Sequence, residues 1–257
     1  AREIFEELPV RDLVSWNALV TGYAEQGHGE KALYVFERMQ HEGQCPDAVT
    51  FVYILKACGN SGSTEKGNEI YAQVEQNGLV QSNQIIGNAS IDMYAKFGLI
   101  HEAQDVFDNL LMRNEASWSS LITGYANQNL DERVLACLEK MKSDDIVWDA
   151  VIAVCCLRAC ANIGVIDKGF QIHADMAQDG LDNDILVGNT LVDMYAKCGL
   201  ISEARVVFDE LSIRNVVSWT AIIAGYVEYG LDKDVPGCLN QMQLEGLVLD
   251  GGTYVII

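Results

Sequence analysis

The chain has 257 residues, about half of them apolar, with only three prolines and a formal net charge of −20. Its longest apolar run, residues 150–157, is too short to cross a bilayer, and eight cysteines are too dilute for a disulfide scaffold. The negative charge repels polyanions at long range and so weighs against nucleic-acid binding.

From the start, Arg2, Glu3, Glu6 and Glu7 interrupt any apolar leader. The chain opens in the middle of a helical pattern and ends on an apolar run, as an excerpt of a longer protein would. Trp16, Leu19, Val20 and Tyr23 then recur at helical spacing up to Gly27, and Ala32, Val35, Phe36 and Met39 do so up to Gly43. Each stripe predicts one amphipathic helix, and each glycine a turn that admits the left-handed region. Further breaks fall at Gly62, Gly98, Asn129, Gly164, Gly199 and Gly230. Asn129 fits because asparagine also enters that region. Pro236 and Gly237 fall where a helix would start near Asp232, and predict a frayed or shifted helix there.

The pattern is periodic. IDMYAKFGLIHEAQDVFDNL at 91–110 and VDMYAKCGLISEARVVFDEL at 192–211 are identical at 14 of 20 positions. SWNALVTGYAEQG begins at Ser15, SWSSLITGYANQN at Ser117 and SWTAIIAGYVEYG at Ser218; TFVYILKACGNSG at Thr50 is answered by IAVCCLRACANIG at Ile152. Three unit types thus recur in fixed order. A single helical hairpin cannot bury both apolar faces, whereas stacked hairpins can, so the repeat predicts an α-solenoid.

VSWNALVTGYAEQGHGEKALYVFERM, TFVYILKACGNSGSTEKGNEIYAQV and GNTLVDMYAKCGLISEARVVFDEL resemble the P, L and S motifs of plant pentatricopeptide repeat proteins of the PLS subclass, and the resemblance covers essentially the whole chain. It implies an all-α solenoid of stacked helix-turn-helix repeats forming a right-handed superhelix. About fourteen helices are expected, the first of each tile lining the concave side. Registered by the family's pattern, the chain holds a partial S repeat (1–12), then P (13–47), L (48–83), S (84–114), P (115–149), L (150–184), S (185–215), P (216–250) and a partial L (251–257).

Members of that family bind single-stranded RNA in mitochondria or chloroplasts, one repeat per base, and many direct cytidine-to-uridine editing. The fifth and last residues of a repeat read the base, and the second residue sandwiches it. The resemblance therefore implies base-reading pairs Asn17 with Asp47, Asn88 with Asn114, Ser119 with Asp149, Asn189 with Asn215, and Thr220 with Asp250. The sandwiching residues would be Val14, Val49, Ile85, Ala116, Val151, Leu186 and Val217. Asparagine amides and hydroxyls can meet the edge of an unstacked base. The L tiles carry Val52 with Asn83 and Val154 with Asp184, so they discriminate poorly. The implied site is 5′-U-x-Y-G-x-Y-G-3′. Lys96 and Lys197 occupy the family's phosphate-contacting place, while the corresponding P-tile positions hold Glu25, Asn127 and Glu228. With so acidic a chain, weak binding that depends on base contacts or on a partner is expected.

Other readings compete. Asn and Asp beside helix ends are commonly caps. Cys155, Cys156 and Cys160 could suggest a metal, but Cys160 has a counterpart in Cys58, so core packing is expected, with no metal and no cofactor. His28-Gly29-Glu30 has the H-x-E form of zinc deaminases without their downstream cysteine pair. No active site is therefore expected, and a deaminase domain, if any, lies outside this chain. Trp16, Trp118 and Trp219 are one residue out of phase with the base-reading position and are expected in the core. Trp148 stands where the family has proline, which puts the local turn in doubt. The alternative function is a protein-binding scaffold, in which the L repeats dock editing cofactor proteins. Apolar faces at the cut ends would favour end-to-end self-association.

Overall fold

The computed structural model describes residues 2–181, 184–231 and 233–248, which form sixteen α-helices and no strand. They fall into two compact units, residues 1–128 and 129–257.

The first unit holds α1 (Arg2–Glu7), α2 (Leu13–Glu25), α3 (Gly29–His41), α4 (Ala48–Ser61), α5 (Thr64–Gln76), α6 (Leu79–Ser82), α7 (Gln84–Lys96), α8 (Ile100–Asp108) and α9 (Glu115–Asn127). Helices α2, α4, α7 and α9 pack successively on one another, and α3, α5 and α8 each pack against the helix before them. The second unit holds α10 (Asp131–Ser143), α11 (Ala150–Ile163), α12 (Ile166–Asp179), α13 (Ile185–Lys197), α14 (Ile201–Glu210), α15 (Val216–Glu228) and α16 (Val235–Leu244). There α11, α13 and α15 form the corresponding row. Each of the seven complete tiles read from sequence contains a helix pair. The two additional helices are α1, which continues the helical pattern at the start of the sequence, and the single turn α6, which the sequence pattern did not indicate.

The helices start where side chains cap them. Asp12, Asp47, Asn83, Asn114, Asp149, Asp184 and Asn215 each stand at the N-cap and accept a backbone N–H from the first turn. Such a cap satisfies donors that the helix itself leaves unpaired and contributes about 1 kcal/mol. Asp149 caps α11 normally although Trp148 precedes it in place of proline, so the turn holds. Within pairs, the chain reverses through left-handed residues at Gly27, Gly62, Gly98, Gly164, Gly199 and Gly230, and Asn129 is left-handed as well. α16 begins only at Val235, with Pro236 in its first turn where a missing N–H costs little. The helix has shifted rather than broken.

The row of first helices is tightly packed. A Cβ on Gly124 would lie 2.8 Å from the Ala95 Cβ, and one on Gly225 2.8 Å from the Ala196 Cβ. Trp16, Trp118 and Trp219 are wholly buried, each edge-on to a phenylalanine (Phe5, Phe107, Phe208) at 4.6–4.7 Å. Cys155, Cys156 and Cys160 are buried core residues, as is Cys58. Burial pushes the Cys58 and Cys160 thiols up, to about 12 and about 11, so both are held in the neutral form that packs in an apolar core. His28 precedes α3 without a side-chain cap bond, and a Cβ on Gly29 would meet the Ala57 carbonyl oxygen at 2.8 Å, so His28-Gly29-Glu30 is a close helix contact.

Candidate nucleic-acid interface

The first turn of each first helix gathers the residues singled out in the sequence. The second residue of every tile occupies the second helical position. Val14, Val49, Ile85, Val151, Leu186 and Val217 are 46–74% exposed there, and Ala116 is exposed as well. Seven apolar side chains at matched register gain nothing from the core. Single exposed apolar residues are ordinary, but a register-locked series calls for a partner.

Beside them the fifth and last residues of a tile meet. In the tile 13–47, Asn17 Nδ2 donates to both carboxylate oxygens of Asp47, at 3.0 and 3.1 Å. In the tile 84–114, Asn88 Nδ2 donates to Asn114 Oδ1 at 3.1 Å. In the tile 185–215, Asn189 Nδ2 donates to Asn215 Oδ1 at 3.3 Å. Of the other two predicted pairs, one spans the two units and one reaches beyond the described residues. Ser119 belongs to the first unit and Asp149 to the second. Thr220 Oγ1 donates to the Val216 carbonyl at 2.7 Å, and Asp250 lies outside the described residues. In the L tiles, Val52 is buried and Val154 half-buried, while Asn83 and Asp184 serve as caps.

Capping and pairing are therefore not alternatives: Asp47, Asn114 and Asn215 do both at once. Each holds the fifth residue of its own tile while accepting from the next tile's first turn. The Thr50, Ser117 and Ser218 amides donate to them at 2.9, 3.0 and 3.0 Å, and each of these hydroxyls accepts the N–H of the cap residue in return. Thr50, Ser117 and Ser218 are buried polar residues that sequence reasoning passed over. Their signal was the spacing D-x-x-T at 47–50 and N-x-x-S at 114–117 and 215–218.

The electrostatics differ between pairs. Burial opposes ionisation of Asp47, but the hydrogen bonds from Thr50 and Asn17 outweigh it and hold the carboxyl below its ordinary value. Lys96 Nζ, predicted for phosphate, bonds Asp92 Oδ2 at 2.7 Å and Asn60 Oδ1 at 2.9 Å. Lys197 Nζ bonds Asp193 Oδ2 at 2.9 Å. Each lysine is thus matched by a carboxylate one turn earlier, which lowers the positive charge it can offer.

Models of the PPR repeat match residues 88–114, 116–146, 189–216 and 217–247, and a model described as the PPR repeat family matches 11–60. The chain is 37% identical to the Arabidopsis thaliana "Pentatricopeptide repeat-containing protein At2g22410, mitochondrial" over 99% of its length and 42% of that protein. It is 34% identical to "Pentatricopeptide repeat-containing protein At1g11290, chloroplastic" of the same plant, over its full length and 32% of that protein. The chain spans about two-fifths or less of these curated relatives. The structure overlays the pentatricopeptide repeat protein PPR10, crystallised in complex with an 18-nt psaJ RNA element, with a TM-score of 0.87 at 21% identity over 99% of the chain and 39% of PPR10. At that identity the match shows a shared fold.

Proposed function

The chain belongs to the pentatricopeptide repeat family of plant proteins, and on that footing we propose that it binds single-stranded RNA sequence-specifically, one base per tile. The observation that carries this reading is the series of exposed apolar second residues, three of them in tiles whose fifth and last residues are hydrogen-bonded to each other. An apolar side chain presents a face on which an unstacked base can lie, and the amide, hydroxyl or carboxylate next to it can meet the base edge. With the tile boundaries of the P, L and S register, the site is 5′-U-x-Y-G-x-Y-G-3′, the L tiles being silent because Val52 and Val154 offer no hydrogen bond. Lys96 and Lys197 supply phosphate contacts. The organelle names of the relatives support a mitochondrial or chloroplast setting, and the P-L-S order supports the recognition part of a C-to-U editing factor whose chemistry resides elsewhere.

Competition among RNAs that differ at one base tests this. Matched RNA should outcompete a scrambled strand at equal salt, and Asn114→Asp should narrow the base opposite the tile 84–114 from either pyrimidine to U. Discrimination between bases by one good polar contact is worth about 1–3 kcal/mol in the DNA case, so the change should exceed about fivefold. Equal binding of matched and scrambled RNA would defeat the reading.

A second reading, docking of an editing cofactor protein beside an L tile, is favoured by one cavity. It is about 370 Å³, lies among α12, α13 and α14, and is lined by Phe170, His173, Tyr195, Glu203, Val206 and their neighbours. Phe170 and Val206 are both exposed, whereas the preceding period carries Asn68 and Asp105 at those places. Phe170→Asp should abolish such docking and leave RNA discrimination unchanged; a pull-down with the isolated cofactor domain and wild-type or mutant chain decides it.

A further inference from the structure

The S tiles end differently from the others. After the second helix of a P or L tile, a left-handed residue turns the chain: Gly43, Gly78, Asp145, Gly180 and Gly246. Between α8 and α9, between α14 and α15, and between α1 and α2, no residue has positive φ. The carbonyls that such a turn would cap must find donors elsewhere.

An arginine supplies them each time. Arg113 Nε donates to the Phe107 carbonyl at 3.3 Å and its Nη2 to the Asp108 carbonyl at 3.3 Å. Arg214 does the same to Phe208 and Asp209, at 3.1 and 2.9 Å, and Arg11 to Phe5 and Glu6, at 3.4 and 3.3 Å. Each guanidinium also lies over the phenylalanine ring, 4.8–5.3 Å from its centre, and that ring packs edge-on against Trp118, Trp219 or Trp16 of the next helix. Fixed planar donors plus a stacking face suit arginine and not lysine.

The arginine immediately precedes Asn114, Asn215 or Asp12, and the tryptophan follows that residue by four. The cap residue is therefore gripped from both sides. We infer that Arg113 and Arg214 are positioning residues for base selection: clasping the end of α8 or α14, they fix Asn114 and Asn215 against Asn88 and Asn189, which face the base. This inference rests on the RNA-binding reading for its functional half.

The test has one arm that needs no RNA. In Arg113→Leu, hydrogen exchange of the Ser117 amide, which donates to Asn114 Oδ1, should speed up by about fivefold, the weight of a lost cap, relative to the Thr50 amide, which donates to Asp47 of the tile 13–47. In the second arm, discrimination at the base opposite the tile 84–114 should fall about fivefold while discrimination at the base opposite 13–47 holds. Arg113→Lys, which keeps the charge but cannot reach both carbonyls, should recover only part of each. Arg214→Leu repeats the test in the second unit should Arg113→Leu not fold. Unchanged Ser117 exchange, exchange raised uniformly along the chain, or equal loss of discrimination at every base would overturn the inference. A wild-type chain that fails to discriminate RNA sinks the RNA-binding reading instead, and the exchange arm then decides the clasp alone.

Discussion

The tiles 13–47 and 84–114 share a helix pair, a capped junction and an asparagine at the fifth place, yet they satisfy that asparagine differently. Asn17 is engaged at both ends: Nδ2 on Asp47, and Oδ1 accepting from Thr50 Oγ1 at 2.6 Å. Asn88 gives Nδ2 to Asn114, but its buried Oδ1 has no partner among the described residues, and Asn189 in the tile 185–215 repeats the pattern. The difference traces to the third residue of the following helix. Thr50 turns its hydroxyl to Asn17, whereas Ser117 donates to the Asn114 carbonyl at 2.7 Å. An unmet buried acceptor costs about 1–3 kcal/mol. That cost falls on Asn88 and Asn189 and not on Asn17.

The strongest way to break the comparison is Asn114→Ala. It removes the cap and leaves Asn88 with neither end bonded, an expected loss of about 2–4 kcal/mol by urea denaturation. Asp47→Ala should cost less, because Thr50 still reaches Asn17. Next, Asn17→Leu should destabilise by about 1–3 kcal/mol, since Asp47 and Thr50 each lose a partner, while Asn88→Leu, which deletes the orphan, should stay within about 1 kcal/mol of wild type. Equal losses in the two leucine variants would erase the distinction.

Acid should separate the tiles more gently. The Asp47 carboxyl is held below its ordinary value in the fold, so its stabilisation is complete above the unfolded pKa of about 3.9 and fades as pH falls through the lower folded value. Asn114 does not titrate. Denaturation midpoints of wild type and Asp47→Asn should therefore converge as the pH falls below the ordinary carboxylate range if this single group sets the gap. The smallest effect is expected at Asp92→Asn, which releases Lys96 from an exposed ion pair worth at most about 1 kcal/mol. RNA affinity should rise a few-fold and its salt dependence steepen; no change by filter binding would remove Lys96 from the phosphate set.

Much of this was legible in the sequence. The apolar stripes and left-handed breaks located the hairpins, because burial and the αL region leave a residue-type signature at fixed spacing. The second residues came from the family resemblance, and the sequence itself added only that all seven are apolar. The double duty of Asp47 and Asn114 was not, since a cap and a base reader call for the same residue types and only hydrogen-bond geometry shows both roles in one side chain. Arg11, Arg113 and Arg214 recurred in plain sight, but their task depends on a missing left-handed turn, and an absence at three loops has no residue of its own to notice. α6 likewise left no trace, a four-residue helix being below the length at which periodicity can register.

The shared cap also limits how much a tile can express. Each described last residue of a tile is Asp or Asn, and each starts the next helix. Only about five residue types cap well, so the alphabet at this place is set by helix chemistry before any base is considered. A designer who writes a lysine or glutamine there to enlarge the vocabulary uncouples two neighbouring tiles with one letter. On the RNA-binding reading, new information content has to come from the fifth residue, which caps no helix.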